Sequence, residues 1–158
     1  MTWRGSITVR ERIFACLPYL LPLISAVGFG AFLLAQFPAL RVLFLFLTPV
    51  MFVYGLLGQY GEMIVFFALF FLVVRNEKIN HFIRFNTMQA LLLEIVAYLC
   101  QIILRIVALP GIFFAIQTLS TTIFLGIVAA IVYSIAQSLR GKYAEIPALS
   151  EAVYTQVR

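Results

Sequence analysis

Long apolar runs separated by isolated charges organise this chain. From Ile13 to Leu40 there are 28 consecutive uncharged residues, from Val42 to Gly61 another 20, and from Met63 to Val74 another 12. After the polar stretch Arg75-Asn76-Glu77-Lys78, the segment Phe85–Leu104 is interrupted only by Glu94, and Ile106–Leu139 supplies 34 uncharged residues around Pro110-Gly111. A helix rises about 1.5 Å per residue, so about 20 residues cross about 30 Å of hydrocarbon. By length, five segments qualify: 13–35, 38–57, 58–75, 86–108 and 118–139.

Composition decides the solvent. Of 158 residues, 64% are hydrophobic and 11% charged, against about 25% charged in soluble domains. So small a body has too little interior to hide that apolar excess from water. The medium is lipid, which excludes a soluble globular domain, a disordered chain and a secreted mini-protein. Cys16 and Cys100 both lie inside apolar runs, so no disulfide framework is indicated. Arg10-Glu11-Arg12 leads into an apolar run longer than a signal peptide's core, with no small-residue cleavage site, so a retained first span is expected.

Net charge is +5, from 11 Lys and Arg against 6 acidic residues, all Glu. The charges stand at the edges of the apolar runs, which points to orientation in a bilayer and not to a nucleic-acid partner. With four crossings, Arg4, Arg10, Arg12, Arg75, Lys78, Arg84, Arg140, Lys142 and Arg158 share one side, and only Arg41 and Arg105 lie opposite. Five crossings would divide the eleven basic residues seven to four. The positive-inside bias therefore favours the even count. The segment expected not to cross is 38–57, which carries Pro38, Pro49, Gly55 and Gly58 and suits an interfacial or re-entrant piece. Pro18 and Pro22 make 13–35 a rival, kinked if helical. The fold class is thus all-α: a four-transmembrane-helix bundle with one extra interfacial or re-entrant segment. Both termini fall on the basic, cytoplasmic or equivalent side. Leu149, Ala152, Val153 and Gln156 suggest an amphipathic tail over 148–157, capped by Ser150 and lying on the membrane surface; an unstructured tail is the alternative.

Polar residues within the spans are the candidate chemistry. On one helix, Thr87, Glu94, Gln101 and Arg105 fall within roughly 20° of a common line, flanked by Ala90 and Ala97. A carboxylate in mid-span is costly and usually faces protein or a water-filled cavity. The seam either glues helices together or contacts a substrate, an ion or a proton, with Arg105 snorkelling to the far interface. In the last span Thr122, Gly126, Ala130, Ser134 and Ser138 recur every four residues, a small-residue stripe suited to close helix packing. The stripe predicts that Gly126→Leu disrupts assembly on a native gel. His81 is expected to be solvated in the basic loop. No nucleophile–base set, metal cluster or phosphate-binding loop appears, so neither an enzyme nor a cofactor is indicated. No internal repeat supports an inverted-repeat transporter.

Three stretches carry a resemblance: Val73-Val74-Arg75-Asn76; His81-Phe82-Ile83-Arg84-Phe85-Asn86-Thr87-Met88-Gln89-Ala90-Leu91-Leu92; and Gly141-Lys142-Tyr143-Ala144-Glu145-Ile146-Pro147. With Ala15-Cys16-Leu17-Pro18-Tyr19-Leu20-Leu21-Pro22, they are similar to the Tic-Twenty family, the twenty-kilodalton subunit of the translocon at the inner envelope membrane of chloroplasts, with its cyanobacterial and plastid-encoded relatives. Arg75, Asn76, His81, Arg84, Phe85, Asn86, Gln89, Gly141, Tyr143 and Pro147 are the motif positions. Glu94 departs from the pattern, since Asp is expected there. The resemblance implies four spans, both termini on the stromal or cytoplasmic side, and membership of a protein-translocating complex with other membrane subunits, as a homo- or hetero-oligomer. The short lead before the first span suits a cyanobacterial or plastid-encoded member. Two rival functions stay open: a small-solute transporter or channel using Glu94, and an assembly factor acting through its loop and tail.

Overall fold

The computed structural model describes residues 6–157, so Arg4 and Arg158 lie outside the described residues. Every regular element among them is helical. Four helical stretches are long and apolar enough to cross a membrane: Val9–Phe29, Pro38–Val74, His81–Ala108 and Phe113–Leu139. The protein is an all-α integral membrane bundle.

Local sequence explains where each stretch starts and breaks. Helix α1 (Val9–Cys16) opens on a capping box, in which the Glu11 amide donates to Thr8 Oγ1 at 3.3 Å and the Thr8 amide donates to Glu11 Oε2 at 2.8 Å. The Thr-x-x-Glu pattern was legible in the sequence and moves the first span's start to Val9, ahead of the expected residue 13. Pro18 sits at the start of a 3₁₀ turn over Leu17–Tyr19, and Pro22 in the first turn of α2 (Leu20–Phe29). Neither position requires the amide that proline lacks, so the stretch restarts at each one. Two short pieces follow: α3 (Ala31–Gln36) and a 3₁₀ segment over Pro38–Leu47.

Helix α4 (Thr48–Leu57) ends at Gly58, whose φ of 77° only glycine adopts readily, and a 3₁₀ corner over Gly58–Tyr60 leads into α5 (Gly61–Leu69). At Gly61 a Cβ would lie 2.9 Å from the Tyr54 carbonyl oxygen, so the corner requires glycine twice. The run Pro38–Val74 has 37 residues, roughly 55 Å if it were a straight α-helix. It therefore bends, and only 6% of its most apolar window is buried against the rest of the chain. Its last turn, Phe70–Val74, is π-helical: the Arg75 amide reaches the Phe70 carbonyl at 3.1 Å, five residues back.

The two longest helices are regular. In α6 (His81–Ala108), Asn80 Oδ1 caps the Phe82 amide at 2.9 Å. Helix α7 (Phe113–Leu139) ends in a Schellman motif. Gly141 is at φ 73°, its amide donates to the Ser138 carbonyl at 2.9 Å, and the Lys142 amide donates to the Gln137 carbonyl at 2.9 Å. Helix α8 (Ser150–Gln156) follows.

Helices α2, α6 and α7 form the core, around Tyr19, Ala26, Phe29, Ala90, Leu93, Ala97, Phe124 and Ile131, with Leu47 reaching in from the 3₁₀ segment. α1 and α2 run parallel to α6, so that Ser25 stands beside Glu94, and α7 runs back, with Ser120 beside Phe29 and Arg12 beside Leu139. The start of α1, the start of α6 and the end of α7 thus share one end of the bundle.

Within the single chain, the packing departs from two expectations. The buried face of α7 is Ser120, Phe124, Ile127, Ile131, Ser134 and Ser138, while Thr122 and Gly126 face outward and Ala130 is half-buried. A step of four residues advances about 40° beyond a full turn, so a strict four-residue stripe winds off any single face. Nothing lies within 4 Å of a Cβ built on Gly126. The tail likewise differs: Ser150 is the first helical residue and Leu149 the cap position, because the turn over 146–149 brings the Ile146 amide onto Ser150 Oγ at 2.6 Å. Val153 and Val157 are buried beside Phe85, so the tail helix docks on the bundle.

The close approach in the core lies instead at Gly30, where a Cβ would sit 2.7 Å from the Phe124 ring. Gly30→Leu is expected to cost about 1–3 kcal/mol by overpacking, and Gly126→Leu under about 0.5 kcal/mol in an isolated chain. Unfolding of each variant in detergent micelles measures the difference.

Candidate functional site

The first turns of α6 carry an unusual density of buried polar side chains. Asn86, Thr87, Gln89 and Glu94 are wholly inaccessible, as are Ser134 and Ser138 on α7. In hydrocarbon such groups must find partners within the protein. Tyr19 Oη donates to Asn86 Oδ1 at 2.9 Å, and Ser138 Oγ donates to the same oxygen at 2.7 Å. Gln89 Nε2 lies 3.2 Å from Tyr19 Oη and 3.1 Å from Ser134 Oγ, donating toward both. Asn86 Nδ2 closes onto the Phe82 carbonyl at 2.9 Å. Tyr19, Asn86, Gln89, Ser134 and Ser138 thus tie three helical stretches together at one depth. Asn86 and Gln89 sit three apart on α6 and Ser134 and Ser138 four apart on α7, so each pair shares a face.

The motif residues at the basic end join a second set of contacts. Arg84 is buried and its Nε donates to the Val74 carbonyl at 2.9 Å, fastening α6 to the π-helical turn before it. Asn76 Oδ1 accepts the Lys78 amide at 3.1 Å and shapes the loop, while Arg75 is exposed. His81 is half-buried, contrary to the solvated loop position expected of it. Its Nδ1 lies 3.0 Å from Tyr143 Oη and its Nε2 3.3 Å from the Val157 carbonyl, which requires a proton on Nε2. The Tyr143 ring packs edge-on against Phe82 at 5.2 Å and Phe85 at 5.0 Å. With Gly141 ending α7 and Pro147 exposed in the next turn, residues 141–157 fold back over the start of α6. Asn80 Nδ2 also donates to Glu11 Oε1 at 2.7 Å, drawing in the start of α1.

The polar seam predicted on α6 divides. Thr87 and Glu94 are buried, whereas Gln101 and Arg105 are exposed. Ser25 is level with Glu94, so α2 ends about one turn beyond it, and α6 past Ala97 has little to pack against on that side. Thr87 returns its hydroxyl to the Ile83 carbonyl at 2.8 Å. Glu94 Oε1 accepts from Ser25 Oγ at 2.7 Å, and Oε2 has no partner among the described residues. Close by, Tyr98 donates to Glu62 Oε2 at 3.2 Å, and Ser25, Glu62, Tyr98 and Gln101 line a cavity of about 170 Å³. Among the described residues, no group of three His, Cys, Asp or Glu side chains is placed to hold a metal ion.

Together these contacts join the first span, α6, α7 and the tail. A family profile described as "Chloroplast import apparatus Tic20-like" matches residues 9–153. The chain belongs to the Tic20 family. It is 44% identical over 151 residues to a Tic20 family protein of Synechocystis sp., covering 94% of each chain. It is 34% identical to the Tic20 family protein Ycf60 of Porphyra purpurea, over 92% of this chain and 75% of that one, and 32% identical to Protein TIC 20-II, chloroplastic, of Arabidopsis thaliana, over 99% and 78%. For this Tic20 family member, Tyr19, Ser134 and Ser138 are the network partners that sequence reasoning missed or assigned to packing. The hint available was the placing of hydroxyls four residues apart on the last span.

Asn86→Ala leaves the Tyr19 and Ser138 hydroxyls without their acceptor, at about 1–3 kcal/mol for each orphaned group, while exposed Arg105→Ala stays within about 0.5 kcal/mol of the parent. A double-mutant cycle of Tyr19→Phe with Asn86→Ala in detergent unfolding is expected to give a coupling above about 0.5 kcal/mol.

Proposed function

We propose that this protein is a membrane subunit of a protein-translocation complex of the preprotein-import type, non-catalytic, acting as a scaffold or as one wall of a pore. Membership of a family described as chloroplast import apparatus supports the class of function. The observation that carries the finer reading is the contrast between a core tied by buried hydrogen bonds and the run Pro38–Val74, of which 6% of the most apolar window is covered. A rigid core with a loosely attached apolar arm suits lateral contact with other membrane subunits or further copies. The bundle axis is filled by Tyr19, Phe29, Phe124 and Ile131, so a passage for a polypeptide forms between chains and not through one.

Both termini lie on the cytoplasmic or stromal side in this proposal. Arg10, Arg12, Arg75, Lys78, Arg84, Arg140 and Lys142 belong to the end shared by the starts of α1 and α6 and the end of α7, as the positive-inside rule favours. Residues 38–57 act as the re-entrant part: Arg41 Nε donates to the Leu34 carbonyl at 3.1 Å near the opposite end, and Phe44 packs on Phe124 at 6.0 Å part-way down. The membrane is that of a cyanobacterium or the plastid inner envelope.

Co-purification in mild detergent followed by mass spectrometry tests the proposal. Recovery with other translocon-type membrane subunits, or cross-linked to a stalled precursor, is the expected result. The 170 Å³ cavity beside Glu62, Tyr98 and Gln101 favours one second reading, a small-solute path. Isolation as a lone oligomer with amino-acid or ion flux lost in a folded Glu94→Gln variant would replace translocation with transport. Cysteines at Ser6 and Tyr154 are expected to label from the same membrane face.

A further inference from the structure

A larger cavity, of about 480 Å³, lies between the first span, α4, α5 and the start of α6. Leu17, Leu21, Val65 and Leu69 are typical of its wall. The polar groups on it are the hydroxyls of Thr87 and Tyr54, and the Thr87 hydroxyl is already bonded to the Ile83 carbonyl. Ordered water needs two to four polar partners, and this wall offers it almost none. The wall is open on one side, with Phe14 44% and Leu17 50% exposed, so its apolar surface faces the hydrocarbon of the bilayer. The cavity's volume falls within the range of sites for small organic ligands. The medium around the bundle supplies a fitting occupant, a hydrocarbon chain.

The cavity's position within the bundle indicates which lipid. At one end it is bounded by Phe14, Val73, Ile79 and Ile83, the residues next to the basic loop. The Arg10 guanidinium lies 5.5 Å from the centre of the Phe14 ring, and exposed Arg75 and Lys78 fall between Val73 and Ile79; Glu77 and Glu11 are the acidic residues nearby, and Glu11 is engaged by Asn80. Basic residues between spans on the cytoplasmic side attract anionic headgroups. We propose that this cavity holds one acyl chain of an anionic glycerolipid, its headgroup bound by Arg10, Arg75 and Lys78. The lipid would fill the gap between the arm 38–74 and the core and so set how firmly the arm is held.

Native mass spectrometry of the full-length protein, released from micelles doped equally with phosphatidylglycerol and phosphatidylcholine, tests this. One phosphatidylglycerol retained per chain is expected, with each of Arg75→Gln and Lys78→Gln weakening retention about fivefold. Val65→Trp with Leu69→Trp fills the cavity and is expected to abolish retention of both lipids while leaving the melting temperature at or above the parent's. Equal retention of the two lipids, or charge variants that retain phosphatidylglycerol like the parent, would overturn the headgroup assignment. Full retention by the folded double-tryptophan variant would overturn the cavity assignment.

Discussion

The fold depends on a cluster of hydrogen bonds made where no water is available to replace them. Tyr19, Asn86, Gln89, Ser134 and Ser138 are buried between the first, third and fourth spans and exchange bonds of 2.7 to 3.2 Å. In a bilayer, apolar side chains gain little by leaving lipid for protein, so burial of leucine and phenylalanine does not by itself choose between helix registers. Amides and hydroxyls do choose, because a slip of one residue would turn several of them into hydrocarbon. The network therefore sets the register of α6 against α2 and α7, and apolar packing by Ala90, Ala97 and Phe124 fills in around it.

The basic end is organised by contacts that are short in space and long in sequence. Asn80 reaches Glu11, Arg12 Nη1 reaches the Leu139 carbonyl at 3.3 Å, and His81 bridges Tyr143 and the end of the tail. These bonds gather the start of α1, the loop before α6 and the segment after α7 into one polar cap. The arm 38–74 meets the cap through the π-helical turn and Arg84, and elsewhere its packing is sparse. The contrast between a well-braced core and a lightly held arm is the observation on which the proposed lateral association rests.

Much of the membrane architecture was legible in the chain: hydrocarbon as solvent, four crossings, all-α class and the family, from run lengths, charge placement and the stretch around Arg84-Phe85-Asn86. The seam on α6 was legible only in its first half. Periodicity aligned Thr87, Glu94, Gln101 and Arg105 correctly on one line, but it carries no information on where the neighbouring helix ends. α2 stops at Phe29, so the line is covered at Glu94 and open at Gln101. The stripe on α7 is only partly used within the chain, for a related reason. Small residues four apart drift around the helix, and only Ser134 and Ser138 remain on the face turned to α6.

What the amino-acid order determined is therefore what depends on solvent and near neighbours: segments too apolar for water, turns at Gly58 and Gly141 that need positive φ, and caps at Thr8 and Asn80. Tertiary structure decided which polar side chains meet. Asn86 and Ser138 are 52 residues apart and Tyr19 and Gln89 are 70 apart, and no local pattern encodes such a pairing. It also decided that Ser150 closes a turn in place of capping a helix, and that His81 is enclosed by a tail lying more than sixty residues away. Each of these outcomes depends on the relative depth and rotation of whole helices, a property of the assembled bundle and not of any one segment.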